Sequence, residues 1–265
     1  ERQAGGPPDS RADGPPAHPH VRGVPASHPV AALPWSGFCH LTPQGTLMAN
    51  PTSTVPEYWD RYAQGVTVEA DLDAAFGWTQ WDDHGPASEL LGDPSTALEL
   101  GCGRGVEVAA LAHRGVKAEG IDISPVQVEQ ARELWAPLGA CFHQGDAIEF
   151  LRETDRSWEA IYSVWGAVWF TDPNVLLPLV HGRLTPGGRL VFSHAEPIPG
   201  SSGPQGMYGG GFRGRRVWLH QWAAHPAEWE HLLRTAGFVD SRVWVEPAPD
   251  PEMVGTLIGV AHASE

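Results

Sequence analysis

From Ala97 to His194 short apolar runs alternate with helical stretches, and this alternation limits the fold more than any other feature of the chain. The apolar runs are A-L-E-L, K-A-E-G-I-D, A-C-F-H-Q-G-D, W-E-A-I-Y-S-V and R-L-V-F-S-H. Between them lie predicted helices at Val106–His113, at Pro125–Trp135, a short one from Ala147, and one after Asp172. A strand, a helix and a further strand in that order return parallel, and parallel sheets carry helices on both faces. The reading is an α/β fold built on a doubly wound sheet. The end of the chain departs from it. P-A-E-W-E-H-L-L-R-T-A-G-F is a helix closed by Gly237, and S-R-V-W-V-E and V-G-T-L-I-G-V-A follow, joined by a proline-rich turn. Two strands joined so briefly must be antiparallel, so the sheet ends in a reversed strand.

The first 47 residues are crowded with proline, glycine, serine and histidine. Such a segment buries too little apolar surface to offset its ordering entropy, and residues 1–50 are expected to be a disordered extension. It lacks the basic start and apolar block of a secretory signal. The first methionine is Met48, and the reading takes it as the natural start, with the residues before it as an upstream extension. The domain then spans 51–265. P-E-Y-W-D-R-Y-A and D-L-D-A-A-F-G-W-T-Q-W are expected as short amphipathic helices forming an N-terminal helical cap. The glycine-rich run between Pro199 and Arg216 is too long for a simple connection, so 196–217 is expected to be a lid-like loop.

Composition excludes several functions. Seventeen Lys and Arg against 32 Asp and Glu give a net charge of −15, which repels nucleic-acid backbones and anionic lipid. No apolar run reaches the length of a membrane span. Cys39, Cys102 and Cys141 are odd in number and form no C-x-x-C pair, which fits a reducing cytoplasm. The histidines do not combine with cysteines or carboxylates at metal-ligand spacing, and no metal is expected. A homodimer is left open.

The glycines of A-L-E-L-G-C-G-R-G-V follow the first strand as G-x-G-x-G. A dinucleotide fingerprint places its third glycine where Val106 stands here, and a Walker loop would continue into G-K-S or G-K-T. A glycine turn without a ligand is the plain alternative. Asp122 ends the next strand about 20 residues on, where an acid can accept from both hydroxyls of a ribose, although it could be only a turn former. Ser124, Pro125 and Gln127 read as N-cap, first helical residue and capping-box partner. Gly145, Asp146 and Ala147 follow the third strand. There Asp146 is either a ligand contact, an N-cap with Glu149 as partner, or both. L-T-P-G-G-R-L leads into the fifth strand, where Gly187 and Gly188 supply backbone freedom.

Glu99 two residues before Gly101, Asp122, the G-D-A at 145–147 and the P-G-G at 186–188 together resemble the class I S-adenosylmethionine-dependent methyltransferases, over about Tyr58 to Ala263. The likeness is to those acting on small molecules. It implies a Rossmann-like, doubly wound, seven-stranded sheet, mostly parallel with an antiparallel last strand. It implies S-adenosyl-L-methionine as cofactor, held by Glu99, Gly101, Cys102, Gly103, Asp122, Ile123, Asp146, Ala147 and Trp165. Asp146 would accept from the adenine amino group, and the amide after it would donate to the ring. A non-catalytic protein that binds or senses the same nucleoside is the alternative, and a nicotinamide-dependent oxidoreductase a weaker one.

On the acceptor side, Tyr162 to Trp165 lacks the D/N-P-P-Y/F of amino-directed nucleic-acid and glutamine enzymes. Trp165 and Trp169 are four apart and could wall a sulfonium with π faces, or pack in the core. Asp172-Pro173 reads as an N-cap and first helical residue. His194 ends the fifth strand and is the expected base for a hydroxyl acceptor. Tyr62, Trp81, Trp169 and Tyr208 are expected to contact an acceptor that is a small, aromatic or otherwise apolar metabolite, methylated on O or N.

Overall fold

The computed structural model describes residues 55–63, 71–73, 75–208 and 218–265, with backbone alone at 207, 208 and 218. The expectation for 1–50 lies outside the described residues. The elements in chain order are α1 (Val55–Ala63), β1 (Thr96–Leu100), α2 (Val106–His113), β2 (Lys117–Asp122), α3 (Pro125–Trp135), β3 (Cys141–Gln144), α4 (Ala147–Glu153) and β4 (Trp158–Val164). There follow α5 (Ala167–Phe170), α6 (Pro173–Arg183), β5 (Leu184–Ala195), β6 (Gly203–Tyr208), β7 (Trp218–Ala223), α7 (Pro226–Thr235), β8 (Val239–Glu246) and β9 (Thr256–His262).

Seven strands form one sheet in the order β3-β2-β1-β4-β5-β9-β8. Only β9 runs against its neighbours, pairing antiparallel with both β5 and β8. The reversed strand is thus last in the chain but interior to the sheet. Alternate residues of the central strands feed two cores. Leu98, Leu100, Ile161, Leu190 and Phe192 pack with α6 and α7 through Leu176, Val180, Trp229 and Leu233. Ala97, Ala160, Tyr162 and Val191 pack with α2 and α3 through Val108, Leu111 and Val128. With both faces covered, the strands read as nearly continuous apolar runs, and the acid in A-L-E-L stands out. Among the described residues no helix is long and apolar enough to cross a membrane.

Two expectations meet a different structure. Residues 75–81 form no helix but turns and bends. Phe76 and Trp78, two apart and separated by Gly77, both turn onto Tyr162, with ring centroids at 5.7 and 6.2 Å. The Trp78 indole N–H donates to Ala87 O at 2.7 Å, which fixes this extended course. The segment expected as a lid-like loop contains β6, which pairs antiparallel with β7 from Gly203↔Ala223 to Tyr208↔Trp218. The glycines of G-P-Q-G-M-Y masked a strand whose partner, W-L-H-Q-W, carries the β-forming residues. The remainder, 209–217, lies outside the described residues, as does the Tyr208 side chain.

Candidate active site

The glycine turn sits at the carboxyl ends of β1 and β2, where open α/β sheets bind ligands. The Gly101 and Cys102 amides donate to Ile121 O at 2.8 and 3.0 Å, which ties the turn to β2. Gly101, Gly103 and Gly105 all have positive φ, at 78°, 51° and 71°. Their surroundings differ. A Cβ on Gly101 would stand 2.5 Å from Ala167 N, and one on Gly105 would stand 2.2 Å from the Phe142 ring. Those two are glycine because the protein itself presses on them. At Gly103 the nearest atom would be Gln127 Oε1 at 3.1 Å. Gly105→Ala combines left-handed strain with a clash, so it is expected to cost about 2–5 kcal/mol of stability, read by urea unfolding.

Asp122 links the turn to α3. Its Oδ2 accepts from the Gly103 amide and its Oδ1 from the Ser124 amide, each at 2.8 Å. A carboxylate oxygen can accept two hydrogen bonds, so each retains one acceptor position. Burial raises the Asp122 pKa above the ordinary value, the Ser124, Gly103 and Ile123 amides oppose that rise, and Asp60 adds to it. Because Ser124 N serves Asp122, Gln127 does not close the expected capping box. Ser124 Oγ still caps α3, accepting from Gln127 N at 3.1 Å.

Glu99 is the buried acid of β1, 1 % exposed and in register with Tyr162. Its Oε2 has no hydrogen-bond partner among the described residues. Burial, then the nearby Glu107, holds its pKa well above the usual carboxylate range. A carboxyl so placed is held neutral in the free protein, and a cation bound beside it would favour its ionised form. Cys102 turns its thiol inward, so close to β2 that a Cβ at Gly120 would meet Sγ at 2.6 Å. It offers a ligand only its backbone. Asp146 is exposed and caps α4, Oδ1 accepting from Ile148 N at 2.8 Å and Glu149 N at 3.1 Å. Ile123 and Ala147 are half-buried beside it.

Sequence reasoning missed Asp60. This residue of α1 accepts from Ser124 Oγ at 2.5 Å across 64 positions of sequence. The Arg104 guanidinium donates to Ala63 O, so α1 lies across the glycine turn at both points. Nothing in a nine-residue helix announces which groove it will cross, and no motif marks the aspartate.

On the acceptor side an aromatic row runs from α1 to β5. Trp59 meets Phe170 at 5.1 Å, Phe170 meets Trp169 at 4.9 Å, and Trp169 meets Trp165 edge-on at 5.7 Å. Trp165 is half-buried and takes a positive φ of 50°, a conformation that bulky residues rarely adopt. It is held there by its amide on Ser193 O at 2.9 Å and its indole N–H on Trp78 O at 3.0 Å. Strain of this kind clusters at ligand sites. Tyr62 flanks the row at Trp59, 5.8 Å away. Trp81 does not join it, and pairs instead with His84 at 5.7 Å.

His194 lies beneath the row. Its ring stacks on Trp169 at 5.6 Å with planes 8° apart, and Trp229 stands 5.6 Å away. It is 1 % exposed. Nδ1 shares a 2.7 Å hydrogen bond with Ala195 O, which can only accept, so the proton is on Nδ1. Nε2 has no partner among the described residues. Burial lowers its pKa to about 4, against the smaller opposing effect of the Ala195 carbonyl. A ring so buried and so weakly basic fits the expected base poorly.

A family model described as a methyltransferase domain matches residues 97–188, from β1 through the turn within β5. Residues 97–188 are thus similar to a methyltransferase domain. Trans-aconitate 2-methyltransferase of Methylobacterium radiotolerans is 37% identical over 123 residues, 43% of this chain and 46% of that protein. Ubiquinone biosynthesis O-methyltransferase of Pseudomonas syringae pv. tomato is 28% identical over 104 residues, 38% of this chain and 45% of that protein. The chain spans less than half the length of these curated relatives. Among solved structures, an S-adenosylmethionine-dependent methyltransferase from Mesorhizobium loti superposes with a TM-score of 0.50 at 19% identity, covering 65% of this chain and 92% of that one. That likeness is one of fold: the sheet is the Rossmann-like one of such enzymes. The matched residues include Glu99, Asp122 and Trp165, whereas α1, His194 and the β6–β7 ribbon lie outside them.

Proposed function

We propose that this chain transfers the methyl group of S-adenosylmethionine to an oxygen or nitrogen of a small, aromatic or otherwise apolar metabolite. The observation that carries the reading is Asp122, which holds the glycine turn by one hydrogen bond to each oxygen and would offer its remaining acceptor capacity to ligand hydroxyls. The Glu99 oxygen left without a partner suits the cationic ammonium of the methionine portion. Gly103, Ile123, Asp146 and Ala147 line the way from that acid to the adenine side. S-adenosylmethionine supplies there an electrophilic methyl on a sulfonium sulfur.

The chain's own contribution is alignment, since much of the acceleration of an in-line displacement comes from holding the reacting atoms in line. Trp165, pinned at backbone and indole, and Trp169 present π faces that favour positive charge. The row from Trp59 to Trp169 offers an apolar acceptor a flat wall, and Tyr62 stands as a contact at its Trp59 end. The β6–β7 ribbon packs on α5 and would serve as the lid of that wall. His194 acts as a positioning residue that supports Trp169. Both of these curated relatives are named for methylation of small molecules, and one for an O-methyl transfer, which supports a small-molecule acceptor.

Trp169→Ala is expected to lower kcat/KM for the acceptor about tenfold or more while S-adenosylhomocysteine affinity stays within a few-fold. Calorimetry tests the cofactor: the chain should bind S-adenosylhomocysteine one to one and give no heat with NAD. Heat from NAD alone would replace the proposal with a nicotinamide-dependent reaction.

A further inference from the structure

We propose that Glu119, Cys141 and His143 form a binding site for one zinc-type divalent ion at the β3 edge of the sheet, separate from the methyl-transfer site. Cys141 and His143 are two apart on β3 and so share a face, and the register sets Glu119 of β2 opposite Cys141. His143 Nε2 lies 2.8 Å from Glu119 Oε2 and 3.8 Å from Cys141 Sγ. All three donor atoms fall within 4.8 Å of one another. Zinc bonds of about 2.0–2.3 Å in a tetrahedron place donors roughly 3.5 Å apart, so an ion would require the His143–Glu119 pair to open from 2.8 Å and the exposed Cys141 thiol to swing in by rotation of its side chain.

The donor set is the right one for that ion. Thiolate with imidazole selects zinc over magnesium or calcium, and a single carboxylate completes three protein ligands. Glu119 is 6 % exposed and held by further groups: the Arg156 guanidinium and the Trp158 indole N–H, the latter at 3.2 Å. Arg156 also covers the Trp158 ring at 5.3 Å, which anchors it as an outer partner of the carboxylate. Bound metal ligands are typically oriented by such outer hydrogen bonds. Arg156 donates to both Glu119 oxygens, at 2.6 Å to the Oε2 that faces His143, so an ion there would replace that contact while the second guanidinium N–H keeps Oε1. Cys141 is exposed on an edge strand, leaving the fourth position to water. Asp122 ends the same strand with the opposite side-chain parity, so this site does not share the cofactor's face.

No C-x-x-C or H-x-x-H spacing announces the cluster, because Glu119 and His143 are 24 positions apart and only strand pairing unites them. The proposal departs from the sequence expectation that no metal is bound. An ion-pair network of His143, Glu119 and Arg156 without metal is the competing account, and cobalt separates the two. The chelator-treated full chain is titrated with Co2+ and read by absorbance. We expect one equivalent to give tetrahedral d–d bands with a sulfur-to-cobalt charge-transfer band that Zn2+ displaces. Cys141→Ser should abolish the charge-transfer band, His143→Ala should weaken Co2+ at least tenfold, and Cys39→Ser should change neither, with circular dichroism confirming the fold of each. No charge-transfer band in the parent chain, or a band that survives Cys141→Ser, overturns the site.

Discussion

Asp122→Ala should lower S-adenosylhomocysteine affinity by at least about 100-fold, since two hydrogen bonds from ligand hydroxyls to an ionised acceptor contribute about 1.5–3 kcal/mol each. The same change leaves the Gly103 and Ser124 amides without their acceptor, so part of the loss would come from a loosened turn. Asp122→Asn separates the two effects. Its remaining carbonyl still accepts from one amide, and removing a buried charge offsets some of the lost bonding. The fold should therefore stay within a few degrees of the parent in thermal unfolding while affinity still falls more than tenfold. Unchanged affinity in both variants would take Asp122 out of the cofactor site.

The second large effect concerns His194. A base makes a contribution of roughly 10²–10⁴ in rate, so a base lost through His194→Leu would all but stop the reaction. A positioning residue under Trp169 predicts a fall of no more than about tenfold, with the pH profile of kcat unmoved. Stability gives an independent reading. The folded ring titrates at about 4 instead of 6.5. Between those values the unfolded chain binds more protons than the folded one, so stability rises with pH. The contribution is complete above pH 6.5 and is lost as pH falls through 4. His194→Leu removes it, so the variant should gain on the parent as pH drops across that window, up to about 3 kcal/mol, measured by urea unfolding at a series of pH values. Glu107, pushed up to about 7 by desolvation, works in the opposite sense. It is present in both proteins and cancels in the difference. A stability difference that is flat from pH 7 to 4 would contradict the burial of the ring.

The elements that position the cofactor side were legible because they are written locally. Val106–His113, Lys117–Asp122 and Pro125–Trp135 are helix, strand and helix as the apolar periods and the Ser124-Pro125 cap indicate. The glycines were legible as a turn, but the reason for two of them was not. Gly101 and Gly105 yield to Ala167 and Phe142, partners that only the folded sheet brings near. Of the two helices expected in the cap, α1 forms and the second was misread for the same reason: Phe76 and Trp78 both turn onto Tyr162, which a helical reading of the aromatic spacing cannot anticipate. Asp60 over α3, His194 sealed beneath Trp169 and the Glu119–Cys141–His143 group are all products of long-range packing. Residues carried by a motif were thus visible in the sequence, and residues assembled by tertiary contact were not.

The central claim is methyl transfer to a small molecule, and a label follows it directly. The full chain is incubated with S-adenosylmethionine carrying an isotopic methyl group and a small-molecule metabolite extract, and the products are separated from protein. The account predicts label in one or a few apolar, low-mass products, formed in step with S-adenosylhomocysteine and absent with Asp122→Ala. Tight S-adenosylhomocysteine binding with no labelled product from any extract would contradict it, and would describe a protein that holds the nucleoside without turning it over.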